Sequence, residues 1–208
     1  MASIAVFASG GGSNFRAILT AFQQSPHRVA VLVCDRKNAG AVEIAREAEI
    51  PVLAIRYSKE RSREEIEREL LTRLKEYPVE LIALAGFMRL LSPVLIDAYP
   101  GRILNLHPSL LPKYPGTKGI EESYYSGDAE LGITIHQVDY GLDTGPILQQ
   151  GVIPRISGES LKDFEVRIHA LEHRLYPDVI LTILNGRRPS PRLVCASDTH
   201  VDYPTNAT

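Results

Sequence analysis

Two hydrophobic rhythms alternate along this chain. Residues 4–8, 29–34, 51–55 and 81–85 are short, nearly continuous apolar runs, set off by glycine, proline or charged positions. Such runs predict strands buried on both faces, as at the centre of a parallel sheet. Between them the spacing changes to three and four. Phe15, Ile18, Leu19 and Phe22 recur at helical intervals up to Ser25-Pro26, and a second helix is expected over about residues 41–49. Ser62-Arg63-Glu64-Glu65 has the form of a capping box. It opens a helix with the stripe Ile66, Leu70 and Leu74, which Tyr77-Pro78 ends. A short helix over residues 93–99 then leads to a strand at 102–104, whose carboxyl end carries Asn105 and His107.

The rhythm changes after residue 130. Residues 131–138 and 146–153 are two strand-like runs joined by a glycine- and aspartate-rich connection, which suits an antiparallel pair. Ser160-x-x-Asp163 resembles a second capping box, followed by the stripe Leu161, Phe164, Ile168, Leu171 and Leu175. Pro177 is expected to kink or restart this helix, and Asn185-Gly186 to cap it. Strand and helix alternate from the start, so the expected fold class is α/β: a Rossmann-like, mostly parallel sheet flanked by helices, with an antiparallel strand pair toward the C-terminal half. One domain is expected over residues 1–186. A Pro- and polar-rich C-terminal extension over 187–208 is expected to wrap or fray.

Composition narrows the function more than the fold. A hydrophobic content of 44% and a charged content of 23% in 208 residues suit one ordinary globular domain. A formal charge of -2, with no sizeable Lys/Arg cluster, leaves no footprint for nucleic acid. The first apolar run is too short to be a signal or membrane segment. Cys34 and Cys195 are the only cysteines; Cys34 lies in an apolar run and reads as a small buried hydrophobe, and no zinc-type spacing exists. A reducing, cytoplasmic setting is the default expectation.

Four stretches carry candidate chemistry. Asn105 and His107 project to one side of a strand end, and Pro108 stiffens the segment. An amide donor beside an imidazole is what a tetrahedral oxyanion requires. Ser9-Gly10-Gly11-Gly12-Ser13-Asn14 joins a strand to a helix. Its backbone amides, with Ser13 and Asn14, suit an anion, although neither the nucleoside-triphosphate loop nor the dinucleotide fingerprint is complete. Asp143, in Gly141-Leu142-Asp143-Thr144-Gly145-Pro146, is either a turn aspartate or a carboxylate that reaches His107 and favours its charged form. Residues 86–91 follow a strand's carboxyl end, where Met88, Leu90 and Leu91 suit a flat apolar slot. Arg63 and Glu172, the latter beside His169 and His173, read as surface charges in the absence of a site, and His136 as a buried or edge residue of an apolar strand.

In this order the motifs resemble those of the phosphoribosylglycinamide formyltransferases, a folate-dependent family, from the first strand to about Asn185, nearly the whole chain. The resemblance implies catalysis by Asn105, His107 and Asp143. It also implies a substrate phosphate on Gly12, Ser13 and Asn14, and a substrate ribose and glycinamide near His169 and Glu172, although relatives often carry an amide side chain at position 169. The co-substrate implied is 10-formyltetrahydrofolate, bordered by Arg63, Met88, Arg89, Leu90, Leu91, Asn105, Asp139, Tyr140, Gly141, Leu142 and Asp143. No metal, nucleic acid or membrane partner is implied, and the chain would act as a monomer or homodimer. A deformylase would use nearly the same trio with water in place of the amine. A non-catalytic sugar-phosphate binder would need the glycine loop but not the pairing of His107 with Asp143.

Overall fold

The first strand, β1 (Ser3–Ala8), is buried at every position and divides two cores. The computed structural model describes residues 1–189 and 193–195. After β1 come α1 (Ser13–Phe22), β2 (Arg28–Cys34), α2 (Gly40–Glu47), β3 (Val52–Ala54), α3 (Arg63–Leu74), β4 (Val79–Leu84) and α4 (Pro93–Ala98). They are followed by β5 (Ile103–His107), α5 (Gly119–Tyr125), β6 (Glu130–Gln137), β7 (Ile147–Pro154), α6 (Leu161–Leu184) and β8 (Leu193–Cys195). Because strand side chains alternate, Ile4, Val6 and Ala8 enter the core beneath α1, α2 and α6, while Ala5 and Phe7 enter the core beneath α3 and α4.

The sheet order is β3-β2-β1-β4-β5-β6-β7-β8. Pairing is parallel from β3 through β5 and between β7 and β8, and antiparallel between β5 and β6 and between β6 and β7. This is the mostly parallel, Rossmann-like sheet that the alternation predicts, with its antiparallel pair, and β6 also runs against β5. The chain leaves β1 toward β2 on one side and returns to β4 on the other. The carboxyl ends of β1 and β4 therefore border a crevice, where open α/β sheets bind ligands. Their loops are tied across it: Ser9 donates its amide to the Gly86 carbonyl at 3.1 Å, and Met88 donates its amide to the Ser9 hydroxyl at 2.9 Å.

Three features depart from the sequence reading. The helix does not restart at Pro177: α6 runs unbroken from Leu161 to Leu184. Leu171, Leu175, Tyr176, Val179 and Ile180 are buried on both sides of the proline, so packing outweighs the roughly 3 kcal/mol a helix-interior proline costs. The short α5 has no sequence signature, because seven residues with only Ile120 and Tyr124 facing the core form no long apolar stripe. Beyond Arg187, the three residues of β8 extend the sheet alongside β7. Residues 190–192 and 196–208 of the extension lie outside the described residues.

Candidate active site

The strand carrying Asn105 runs on through His107, three residues past its expected end. Antiparallel pairing with β6 sets Asn105 opposite His136 and His107 opposite Thr134. Cross-strand partners project on the same face, so the register itself brings two imidazoles and an amide together. His107 is 3% exposed and His136 2% exposed. Asn105 Nδ2 lies 3.1 Å from His136 Nε2, and His136 Nδ1 lies 2.8 Å from the Gln137 carbonyl. His107 Nε2 is 2.8 Å from the Tyr114 carbonyl, while its Nδ1 faces Asp143 Oδ2 at 3.5 Å. Both ring nitrogens of His107 thus face oxygen acceptors, and a ring can satisfy both only by carrying a proton on each.

Asp143 arrives from the β6–β7 connection. Its backbone is left-handed, with φ 55°, a conformation that aspartate tolerates better than most residues. A side chain at Gly145 would run into the Gln137 carbonyl, so glycine lets the loop turn back against the sheet. Asp139 braces the turn by accepting from the Gly141 amide at 3.0 Å and from the Thr144 hydroxyl at 2.8 Å. The Asp143 carboxylate accepts from the Gly116 amide at 2.8 Å, with Asn105 Nδ2 at 3.5 Å and His136 Nε2 at 3.6 Å. Burial pushes this carboxyl up, but its polar neighbours outweigh burial and hold it below the ordinary range. His136 can contribute only by donating from Nε2, and that nitrogen lies closer to Asn105 than to Asp143. The Gly116 amide and the His107 ring are the better-placed causes.

These groups form one wall of a cavity of about 520 Å³, which also takes in Arg63, residues 86–91, Thr117 and residues 138–142. That volume suits a small-molecule site. Met88, Leu90, Tyr140 and Leu142 are exposed on its rim, two from each facing loop. Arg63 stands in the first turn of α3, where the capping box of Ser62 and Glu65 is formed as expected. Arg89 lines the cavity while its guanidinium binds Asp35 at 2.7 Å and lies over the Tyr57 ring.

The glycine turn does not line this cavity. Gly12 is the N-cap of α1 with φ 83°, and a Cβ there would come within 2.7 Å of the Ala41 backbone, so only glycine fits. No side chain caps the amides that follow. Asn14 donates to Glu172 at 2.9 Å, and Glu172 also pairs with His169 at 2.8 Å. Glu172, a surface charge by pattern alone, is 4% exposed. Its hydrogen bond raises His169 above the ordinary histidine value, whereas burial lowers the neighbouring His173. A larger, more open groove of about 870 Å³ starts at Gly11 and Ser13 and runs between α1, α2 and α6, but none of the catalytic candidates reaches it. Ser9, just before the glycine turn, is bonded to Gly86 and Met88 of the smaller cavity's lining.

The formyl transferase family model matches residues 2–180. The chain belongs to the formyl transferase family. Among its relatives, the phosphoribosylglycinamide formyltransferase of Bacillus subtilis is 43% identical over 88% of this chain and 95% of that protein. The Escherichia coli enzyme of the same name is 39% identical over 89% of this chain and 88% of its own. A crystal structure of glycinamide ribonucleotide transformylase 1 from Symbiobacterium toebii superposes with a TM-score of 0.86 at 40% identity, covering 93% of each chain. In this formyl transferase, the fold brings together the expected Asn105, His107 and Asp143, along with the expected lining of the cavity. The sequence marks His136 only as a buried or edge residue and does not reveal the Tyr114 carbonyl or the Gly116 amide. Backbone groups leave no trace in side-chain identity. His136 left no signal either, because the β5–β6 register that sets it opposite Asn105 is decided by the fold.

Proposed function

We propose that this formyl transferase transfers the formyl group of 10-formyltetrahydrofolate to the amine of phosphoribosylglycinamide, a cytoplasmic step of purine synthesis. The observation that carries the reading is the convergence of Asn105, His107 and Asp143 in a cavity that the apolar loop 86–91 also lines. The folate ring sits between residues 88–91 and 139–143, and Arg63 meets its anionic tail. The substrate phosphate rests on the uncapped amides after Gly12, with Ser13 and Asn14. Glu172 and His169 face its ribose and glycinamide.

The neutral amine attacks the formyl carbon, forming the C–N bond and placing negative charge on the formyl oxygen. Asn105 Nδ2 and His107 Nδ1 now make only long contacts to Asp143, each at 3.5 Å. They turn to that oxygen as charge develops, which is the preorganised stabilisation acyl transfer needs. Asp143 faces His107 Nδ1 and orients the ring toward that oxygen. As the intermediate collapses, the bond from the formyl carbon to the folate nitrogen breaks, and the proton lost by the amine passes to that nitrogen through water held at Asp143.

Supplying formyl folate with and without phosphoribosylglycinamide tests the reading. Formyl transfer that requires the amine is expected. Formate release without it would mean a hydrolase, and no turnover in either arm would mean a binding protein.

A further inference from the structure

His136 is buried in the site, yet the transfer as derived above gives it no role. Its contacts form a consistent chain of donors and acceptors. Nδ1 lies 2.8 Å from the Gln137 carbonyl, which can only accept, so that nitrogen carries a proton. Asp143 is held ionised, and it faces the Asn105 side chain at 3.5 Å, so Asn105 presents its NH₂ group rather than its carbonyl. The same NH₂ lies 3.1 Å from His136 Nε2, which can accept only if it is bare. A proton on Nε2 would meet only Asp143 Oδ1, 3.6 Å away and beyond hydrogen-bond reach, so the arrangement that best satisfies these groups has the His136 proton on Nδ1 alone. One amide hydrogen of Asn105 then points to Nε2 and the other toward Asp143.

We infer that His136 is a positioning residue that fixes the flip state of the Asn105 amide, so that its second N–H is aimed where the formyl oxygen arrives. The short contact at 3.1 Å holds through the reaction, and the long one at 3.5 Å is exchanged for the oxyanion. Without the imidazole acceptor, the amide is free to rotate and present its own oxygen to a developing negative charge. The backbone register supports this role: Asn105 and His136 are direct cross-strand partners, and the irregularity in β6–β7 pairing falls between Ile135 and His136. Such irregularities re-aim side chains beside sites.

The inference rests on the transferase reading, and two measurements separate their failures. Nitrogen NMR of the ligand-free enzyme, with His136 assigned, is expected to show a protonated Nδ1 and a bare Nε2. A proton on Nε2 would overturn the assignment whatever the enzyme's substrates. Kinetics then test the role. His136→Phe keeps the ring but removes the acceptor, and is expected to lower kcat about ten- to a hundredfold, short of the loss on deleting an oxyanion donor outright, with both KM values little changed. His136→Gln, whose carbonyl can stand at the Nε2 position, is expected to recover most of that loss. In an Asn105→Ala background, His136→Phe should cost about twofold or less, because residues acting as a unit are not additive. Independent losses that multiply, or a glutamine variant as poor as the phenylalanine one, would overturn the proposal. Should His136→Phe fail to fold, the tautomer and the glutamine variant still decide.

Discussion

Asn105 and His107 owe their usefulness to what they lack. Each has one firm partner, the imidazole of His136 and the carbonyl of Tyr114, and one long contact to Asp143. A donor held on one side and loosely engaged on the other is oriented without being committed. Asn105→Ala and His107→Ala are each expected to lower turnover about 10²- to 10³-fold, roughly 3–4 kcal/mol of barrier, while substrate affinity barely moves. Affinity falling in step with turnover in steady-state and binding measurements would refute an oxyanion role. On α6, His169 and His173 stack against each other yet are pushed in opposite directions. Glu172 and Glu165 favour the charged form of His169, and burial opposes that of His173. NMR titration should find His169 above the ordinary 6.5 and His173 below it, and Glu172→Gln should bring His169 down. The His169–Glu172 pairing contributes to stability below about 6.5 and is lost as pH rises through the raised value. With His169 about half exposed, that contribution is small.

The wall formed by residues 88–91 is held from behind by two helices. Glu67 of α3 is fully buried and accepts from the Ser92 amide at 3.0 and 3.1 Å and from the Ser92 hydroxyl. Ser92 is also the N-cap of α4, so one carboxylate joins two helices immediately after the loop that faces the cavity. Burial pushes the Glu67 carboxyl up. Glu67→Ala leaves the Ser92 donors without their acceptor and is expected to cost about 1.5–3 kcal/mol of stability, measured by denaturant unfolding. The loosened wall should raise KM for formyl folate with little change in kcat. An unchanged unfolding midpoint would show that water replaces the carboxylate. The helix itself was legible: Ser62-x-x-Glu65 and its stripe predicted its start and its buried face. The partner of Glu67 was not, because Ser92 lies 25 residues away on another element.

Across the whole molecule, the proposed binding and oxyanion sites lie on different parts of the sheet. The glycine turn follows β1, the apolar slot follows β4, and the trio comes from β5 and the β6–β7 connection. Asp143 couples the last two, and this has a consequence for acid stability. Its folded pKa lies below the ordinary 3.8, so the stability it contributes is complete above about that pH and is lost as pH falls through the lowered value. The gap in unfolding free energy between the wild type and Asp143→Asn should be constant above about pH 4 and shrink below it. A gap that does not change with pH would mean the carboxylate has no net electrostatic role in the fold. Among the described residues no helix is long and apolar enough to cross a membrane.

The sequence by itself determined the alternation of strand and helix, the glycine turn after β1, the capping box of α3 and the antiparallel pair. Each depends on contacts within a few residues or on a periodicity visible along one element. The resemblance of its motifs also placed Asn105, His107 and Asp143 in one family's catalytic positions. Tertiary structure alone decided the rest. Packing on both sides of Pro177 kept α6 whole, and the β5–β6 register made His136 a neighbour of Asn105. The fold also supplied the Tyr114 carbonyl and the Gly116 amide, which every residue type carries alike. Groups far apart in the chain meet only through the free energy of burying the whole core, and no local pattern encodes which backbone atoms will then lie within 3 Å of a side chain.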